Sequence, residues 1–252
     1  MKRKNMISMV TSLALVGVVA VGGTLALLTE KSNDVTNTFS VGSAYQTDAL
    51  TLDEVAVKRD TNLNNYGGYV ANPAADPTRV QDGNKYEDLV AKTTLEKDPT
   101  FHLVANSPDS WIVAKVTGIE ALKRQGVVIM GTTPAEEGVA SVSLAEGYAW
   151  VKLNPDDGTT TPVADYANLT DGYYVFNEKV VGGASTDALF TNMYVKSTVN
   201  RPAGAEPMEL TSIEVTGVAV EALNDTWAED SAAVIAQIKA DKDLGDFFPA
   251  QG

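Results

Sequence analysis

The sequence contains no cysteine and a single histidine, His102. The absence of cysteine excludes disulfide bonds, zinc sites built from thiolates and the attachment of a lipid to a cysteine side chain. A lone histidine without an HExxH motif cannot build the usual zinc site either. The folded chain must therefore be stabilised by its core, and the sequence predicts neither a metal site nor a cofactor.

Basic residues are scarce as well. The chain has 19 Lys and Arg against 33 Asp and Glu, which gives a formal net charge of -14. Binding to nucleic acid or to an anionic membrane surface needs clustered Lys and Arg. The charge balance argues against both kinds of partner and favours a soluble surface that repels other copies of itself.

The N-terminal region is organised like an export signal. Lys2 to Lys4 form a basic start, and Met6 to Leu28 then carries no charge. That uncharged stretch exceeds the roughly 20 residues that can span a bilayer, so a retained membrane anchor is one interpretation. The other interpretation is a secretory signal that is removed, in which the apolar centre is shorter and small residues precede the cut.

The second interpretation is favoured by the distribution of small residues. Ser, Thr and Gly dilute the stretch and leave Leu13 to Val21 as its strongly apolar part. Gly22-Gly23 interrupts the helix, and Thr24-Leu25-Ala26 places small residues before a cut between Ala26 and Leu27. The sequence thus predicts a signal peptide at 1–26, an N-terminal segment at 27–45 and one domain at 46–252. Cleavage leaves 226 of the 252 residues and, with three basic residues gone, a charge of -17 instead of -14.

Beyond residue 36 the pattern is that of β-structure. Segments rich in Val, Thr, Tyr and Phe are separated by Gly, Pro, Asn and Asp clusters, which is typical of a sandwich or barrel. The polar stretch Asp60 to Asp88 is predicted to be a long surface excursion. The predicted strands are Asn37 to Ser43, Leu50 to Lys58, Thr100 to Asn106, Trp111 to Thr117, Gly126 to Met130, Tyr148 to Asn154, Tyr173 to Asn177, Leu189 to Val199 and Glu209 to Leu223.

One helix is predicted near the C-terminus. Thr226 and Glu229 have the spacing of a capping box, in which each side chain binds a free backbone amide of the first turn. Trp227, Val234, Ile235 and Ile238 then share one helix face, and Gly245 follows as a stop. We expect this helix to pack on a sheet.

The sequence predicts no catalytic residues. There is no GxSxG motif, and a single histidine makes a Ser-His-Asp triad improbable, so His102 is interpreted as a residue on a strand face. Asp82-Gly83-Asn84 and Asp156-Asp157-Gly158 are acidic, but neither has the spacing of a calcium loop. Both are predicted to be turns, and the chain is predicted not to be an enzyme.

Several segments resemble a known family. GGTLALLTEKSNDVTNTFSVG (22–42) resembles the signal-peptide junction of proteins processed by the dedicated signal peptidase SipW, the TasA and camelysin group of Gram-positive bacteria. TTLEKDPTFHLVANSPDSWIVAKV (93–116), DALFTNMYVKSTV (187–199) and SIEVTGVAVEALNDTWAE (212–229) are similar to later parts of that family. Residues 117–170 have no counterpart in this likeness.

The resemblance implies a jelly-roll-like antiparallel β-sandwich with peripheral helices, secreted and assembled into extracellular fibres of a biofilm matrix. Its implied partners are copies of itself, the signal peptidase during export and an accessory or anchoring protein. Two other functions stay open: a secreted surface-binding or fibre-accessory module, and a camelysin-like metallopeptidase. The lack of a zinc motif counts against the peptidase.

The freed N-terminal segment suggests how such fibres would form. Leu27 and Leu28 give it an apolar tip, while Val35, Phe39 and Val41 share one face of an extended chain. We expect it to be donated as a strand to the sheet of the next subunit. In the alternative, Asn37 to Ser43 pairs within its own domain and residues 27–36 form a loose tail; a combination of the two is a third possibility.

Overall fold

The structure, a computed structural model, describes residues 29–31, 48–130, 148–164, 169–199, 210–244 and 247–248. Within these ranges the chain forms fourteen strands, two α-helices and three short 3-10 turns. The helices are α1 (Ile119–Arg124) and α2 (Trp227–Ala240). The strands are β1 (Thr29–Lys31), β2 (Leu50–Val55), β3 (Val57–Arg59), β4 (Tyr69–Ala71), β5 (Arg79–Val80), β6 (Thr93–Glu96), β7 (Thr100–Leu103), β8 (Ser110–Thr117), β9 (Val127–Met130), β10 (Trp150–Leu153), β11 (Thr160–Pro162), β12 (Gly172–Phe176), β13 (Asn192–Val195) and β14 (Glu214–Glu221).

The strands are arranged in three sheets. The largest has six strands in the order β1-β14-β8-β12-β10-β11, the second has the order β3-β4-β6-β13-β9, and the third has the order β5-β2-β7. All pairs are antiparallel except β4 with β6. The predicted all-β sandwich with a C-terminal helix is therefore confirmed.

The six-stranded sheet is buried on both faces, and β8 shows how its sequence permits this. Ile112, Ala114 and Val116 face the main core, which contains residues from all three sheets. Trp111 and Val113 alternate with them and face a second core beneath α2. A strand that is covered on both sides is apolar at every position rather than at every second one.

A glycine in β14 allows the three-stranded sheet to pack closely against the six-stranded sheet. A Cβ atom at Gly217 would lie 2.2 Å from a ring carbon of Phe101 in β7, closer than any real contact. Phe101 is fully buried and stacks at 5.8 Å, between ring centres, against Trp150 of β10. The absent side chain at position 217 thus provides the space that this aromatic ring fills.

The predicted helix is present, but its cap differs from the prediction. Thr226 is the N-cap of α2, and its hydroxyl donates to the Glu229 carboxylate at 2.7 Å instead of binding a backbone amide. The prediction of a reciprocal capping box is therefore wrong. The apolar face is correct, since Trp227, Val234 and Ile238 are buried together with Ile235. Gly245 lies outside the described residues.

Several strand boundaries also differ. The predicted strand from Leu50 to Lys58 is divided at Ala56, whose backbone binds Thr78 and Asn72, so that β2 and β3 join different sheets. The predicted excursion from Asp60 to Asp88 contains β4 and β5. Strands β6 and β11 and helix α1 were not predicted, since each is six residues or shorter. The predicted strand at 37–43 lies outside the described residues.

Candidate functional site

The residues predicted to carry the function come from the N-terminal segment. All of them lie outside the residues that the structure describes, namely Ala26 and Leu27 of the cleavage site and Leu27, Leu28, Val35, Phe39 and Val41 of the donated strand. The one described part of this segment is β1, Thr29–Lys31. The position of β1 therefore shows where the described part of the segment lies in the fold.

Strand β1 lies at an edge of the six-stranded sheet. It pairs antiparallel with β14 of the same chain, with Thr29 opposite Val220, Glu30 opposite Ala219 and Lys31 opposite Val218. These residues were assigned to a loose tail in the alternative interpretation, and in the structure they form a strand. The described part of the segment thus lies beside a sheet edge of its own chain.

The edge that β1 covers is apolar on both faces. Ala219 of β14 belongs to the main core, whereas Val218 and Val220 belong to the core beneath α2. All three are at most 1% exposed. A strand added at this edge therefore continues a sheet that has a hydrophobic layer on each side.

A second group of polar residues lies on the outer face of the three-stranded sheet. His102 Nδ1 is 2.6 Å from Ser185 Oγ, and its Nε2 is 2.8 Å from Asp53 Oδ1. The three side chains form a continuous hydrogen-bonded line. Ser185 is exposed, and the side chains of His102 and Asp53 are 31% and 16% exposed. Sequence analysis considered such a triad improbable because the chain has a single histidine and no GxSxG motif. The three residues are separated by 49 and 83 positions in the sequence.

Strand register explains how these residues meet. The Leu103 amide donates to Ala184 and the Thr186 amide donates to Phe101, each at 2.9 Å. These bonds flank His102 and Ser185, which therefore form a non-hydrogen-bonded antiparallel pair, the type that brings side chains closest. On the other side, β2 pairs with β7 so that Asp53 lies one diagonal step from His102.

The hydrogen bonds also define the histidine tautomer. Asp53 accepts a hydrogen bond from Arg79 Nε at 2.5 Å, and as a carboxylate it can only accept. His102 Nε2 must therefore carry a hydrogen, and in the neutral imidazole this leaves Nδ1 as an acceptor for the Ser185 hydroxyl. The serine donates to the imidazole, and the imidazole donates to the carboxylate.

Arg79 holds the carboxylate in place. Its guanidinium binds Asp53 and also Asp98, the latter at 2.8 Å. Burial alone would lower the pKa of Arg79, but the hydrogen bonds from its guanidinium to Asp53 and Asp98 outweigh this and raise it. Asp98 in turn accepts from the Val55 amide at 2.6 Å. The charged side of the triad is thus fixed to the backbone of β2.

Next to this network lies a buried ion pair. Glu54, only 4% exposed, accepts from Lys97 Nζ at 2.5 Å and from the Asn84 amide at 2.6 Å. Burial, with the nearby charges of Glu54 and Asp98, strongly raises the pKa of Tyr86. A cavity of about 170 Å³ borders the pair and Asp53.

The two acidic segments considered for calcium are turns with satisfied side chains. Asn84 donates to the Val55 carbonyl and accepts from the Val57 amide. Asp157 accepts from the Thr159 amide and hydroxyl, and these bonds lower its pKa. Among the described residues no group of three His, Asp or Glu side chains is arranged to hold a metal ion.

A buried carboxylate joins α2 to the six-stranded sheet. Asp230, 1% exposed, accepts from the Trp111 indole at 2.7 Å, from the amides of Leu223 and Asn224, and from the Asn224 side chain. Burial alone would raise the pKa of Asp230, but these four hydrogen bonds lower it below its ordinary value. Nothing in its surroundings is open to a ligand, so its role is structural.

The fold and the site define a β-sandwich protein with a short terminal strand at a sheet edge. In the part of the chain that is described, none of the helices has the length and apolar character needed to cross a membrane. Comparison of the chain with family models, with curated proteins and with solved structures found no match.

Proposed function

We propose that the chain is a secreted structural subunit of extracellular biofilm-matrix fibres, and that its subunits join head-to-tail by strand donation. The observation that carries the proposal is the pairing of β1 with β14. Three described residues of the N-terminal segment make this pairing, next to eight residue pairs between β14 and β8. The short pairing can be exchanged while the rest of the sheet stays intact.

Exchange between copies conserves the contacts. The backbone bonds that β1 makes with its own β14 are the same bonds that it would make with the β14 of a neighbour, so the exchange itself costs little. Such a contact is heterologous, because one surface of a subunit meets a different surface of the next. Contacts of this kind give filaments when the rotation does not close into a ring.

The connection is long enough for this exchange. Sixteen residues, 32–47, separate β1 from the first described residue of the body. Fully extended, a chain of that length reaches up to roughly 55 Å. A domain of about 200 residues has a radius of gyration of roughly 17 Å, so the segment can reach the equivalent edge of an adjacent copy.

Export and processing are tested first. N-terminal sequencing of the secreted protein should give Leu27 as the first residue, since Thr24 and Ala26 precede the cut. An intact Met1, or a start beyond about Ser32, would contradict the proposed processing. The second start would also remove the segment on which strand donation depends.

Deletion of residues 27–34 tests the donor role. We expect the secreted, tag-free deletion variant to be a folded monomer that forms no fibres in negative-stain microscopy, whereas the parent forms them. Unchanged fibres in the deletion variant would contradict strand donation. A parent that forms no fibres under any salt or pH condition would contradict the structural function itself.

Engineered cysteines distinguish exchange between chains from pairing within a chain. The natural chain has no cysteine, so Thr29→Cys in one preparation and Val220→Cys in another are the only thiols after mixing. Donation predicts a disulfide-linked heterodimer, because the two thiols are on different chains and meet only when a strand is exchanged between subunits. Ser212→Cys, at an exposed position, replaces Val220→Cys in the control and should give no heterodimer above background.

A further inference from the structure

The line of Ser185, His102 and Asp53 is not used by the proposed assembly. Ser185 lies on the segment that bridges to β7, His102 on β7 and Asp53 on β2, and none of the three pairs with β1 or β14. Their order matches the roles required of a nucleophile, a base and a group that orients the base. The distances, 2.6 Å and 2.8 Å, are those of formed hydrogen bonds.

We propose that Ser185 is an activated nucleophile, which takes an acyl group from an activated ester onto its Oγ. His102 is the general base, and Asp53 is the positioning residue that keeps the imidazole in its reactive tautomer. Arg79 is in contact with this line through its hydrogen bond to Asp53, and Asp98 binds the same guanidinium.

The reaction proceeds by a balanced acyl transfer. The Ser185 Oγ attacks the carbonyl carbon of the ester while His102 Nδ1 takes the hydroxyl proton. The new oxygen–carbon bond forms, the bond between that carbon and the leaving-group oxygen breaks, and the proton passes from Nδ1 to the departing alkoxide. The products are a serine ester on the protein and a free alcohol.

The exposure of Ser185 limits the class of acyl donor that can react with it. Ser185 lies at the surface, and the imidazole beside it is partly exposed. A donor must therefore approach an open strand face, and its leaving group must depart easily, because the site supplies a nucleophile and a base. This favours activated esters over amides, and it assigns Ser185 as a site of covalent acylation on the outer face of the domain.

The test uses p-nitrophenyl acetate with the full secreted protein and peptide mapping by mass spectrometry. We expect acetyl on Ser185 of the parent at a rate at least tenfold above other serines, and none at that position in Ser185→Ala. Acetylated surface lysines in the same spectra report the reactivity of the probe in every variant. Ser212→Ala, which changes an exposed serine elsewhere, should leave Ser185 acetylation unchanged.

His102→Gln separates the base from a merely structural histidine. A positioned general base typically contributes at least about a hundredfold, so the glutamine variant should acetylate Ser185 that much more slowly. Circular dichroism checks the fold, and Asp53→Asn gives a second variant if the first unfolds.

Two outcomes would overturn the inference. The first is acetylation of Ser185 at the background rate of other exposed serines in the folded parent. The second is an equal rate in the parent and in folded His102→Gln, which would leave the serine accessible but not activated. Neither outcome depends on fibre formation, so this test and the assembly tests fail or succeed separately.

Discussion

Strand β14 has two neighbours in the six-stranded sheet, and they hold it in different ways. On one side β8 pairs with it along eight residues, and the side chains of β8 lie in two buried cores. On the other side β1 pairs with it along three residues. The comparison teaches that one side of β14 is held along its whole length by the body of the domain, whereas on the other side the described pairing is with a short strand.

The largest loss of stability is expected on the β8 side. Trp111 is 1% exposed, packs at 5.7 Å, between ring centres, against Trp227 and donates to Asp230. Trp111→Ala should lower the free energy of unfolding by about 3–5 kcal/mol, as measured by urea denaturation. Leu63→Ala, at a side chain 92% exposed, is the control and should change it by less than about 0.5 kcal/mol. Equal effects would show that the two-sided core does not support β8.

Asp230 should have the next largest effect. Asp230→Asn removes one of two acceptor oxygens and places an amide group among hydrogen-bond donors, which should cost about 2–3 kcal/mol. Asp225→Asn, in the loop just before α2, is a matched control, because that carboxylate is 94% exposed and its pair with Lys179 is worth little. A loss as large in Asp225→Asn as in Asp230→Asn would contradict the structural role of the buried carboxylate.

The same carboxylate should make stability depend on acid pH. Because the pKa of Asp230 is lower in the folded chain, the unfolded chain binds the proton more readily. Its contribution to stability is fully present above the ordinary aspartate pKa of about 3.9 and is lost as pH falls through the lower folded pKa. The parent should therefore lose stability below about pH 4 more steeply than Asp230→Asn. Parallel curves for the two proteins would contradict this assignment.

The smallest effect on the monomer is expected at β1. Backbone N–H groups of a strand point alternately to its two sides, so only one of Glu30→Pro and Lys31→Pro removes a bond to β14. Both should lower the free energy of unfolding by less than about 1 kcal/mol. One of them should abolish fibre formation in negative-stain microscopy while the other, its matched control, retains it. If both variants still form fibres, this would contradict a role for the pairing in assembly.

Much of the fold was predictable because it depends on local patterns. The predicted strands at 50–58, 111–117 and 209–223 contain β2 and most of β3, most of β8, and β14 respectively, and the apolar spacing from Trp227 to Ile238 is a helix. Short elements were missed because four or six residues give too few repeats to show a period, as in β6 and α1. The cap of α2 was mispredicted because the Thr226 hydroxyl donates to the Glu229 carboxylate and does not bind a backbone amide.

The candidate site was predictable only in part. The junction at Ala26 and Leu27, the acidic charge and the extended N-terminal segment are properties of the sequence, and they remain predictions where the structure does not describe them. That β1 pairs with β14 could not be read from residues 29–31, since TEK has no pattern of its own. The pairing depends on a complementary edge almost 190 residues later in the chain.

The sequence by itself determined the class of the fold, because alternation, turn residues and the helical apolar stripe are local consequences of side-chain direction. It also excluded disulfide bonds, because the chain has no cysteine. Only the tertiary structure decided which distant residues meet. Register across two strand pairs brought Asp53, His102 and Ser185 into one hydrogen-bonded line. A shift of one residue in either pairing would turn these side chains to the opposite face, and no local pattern specifies that register.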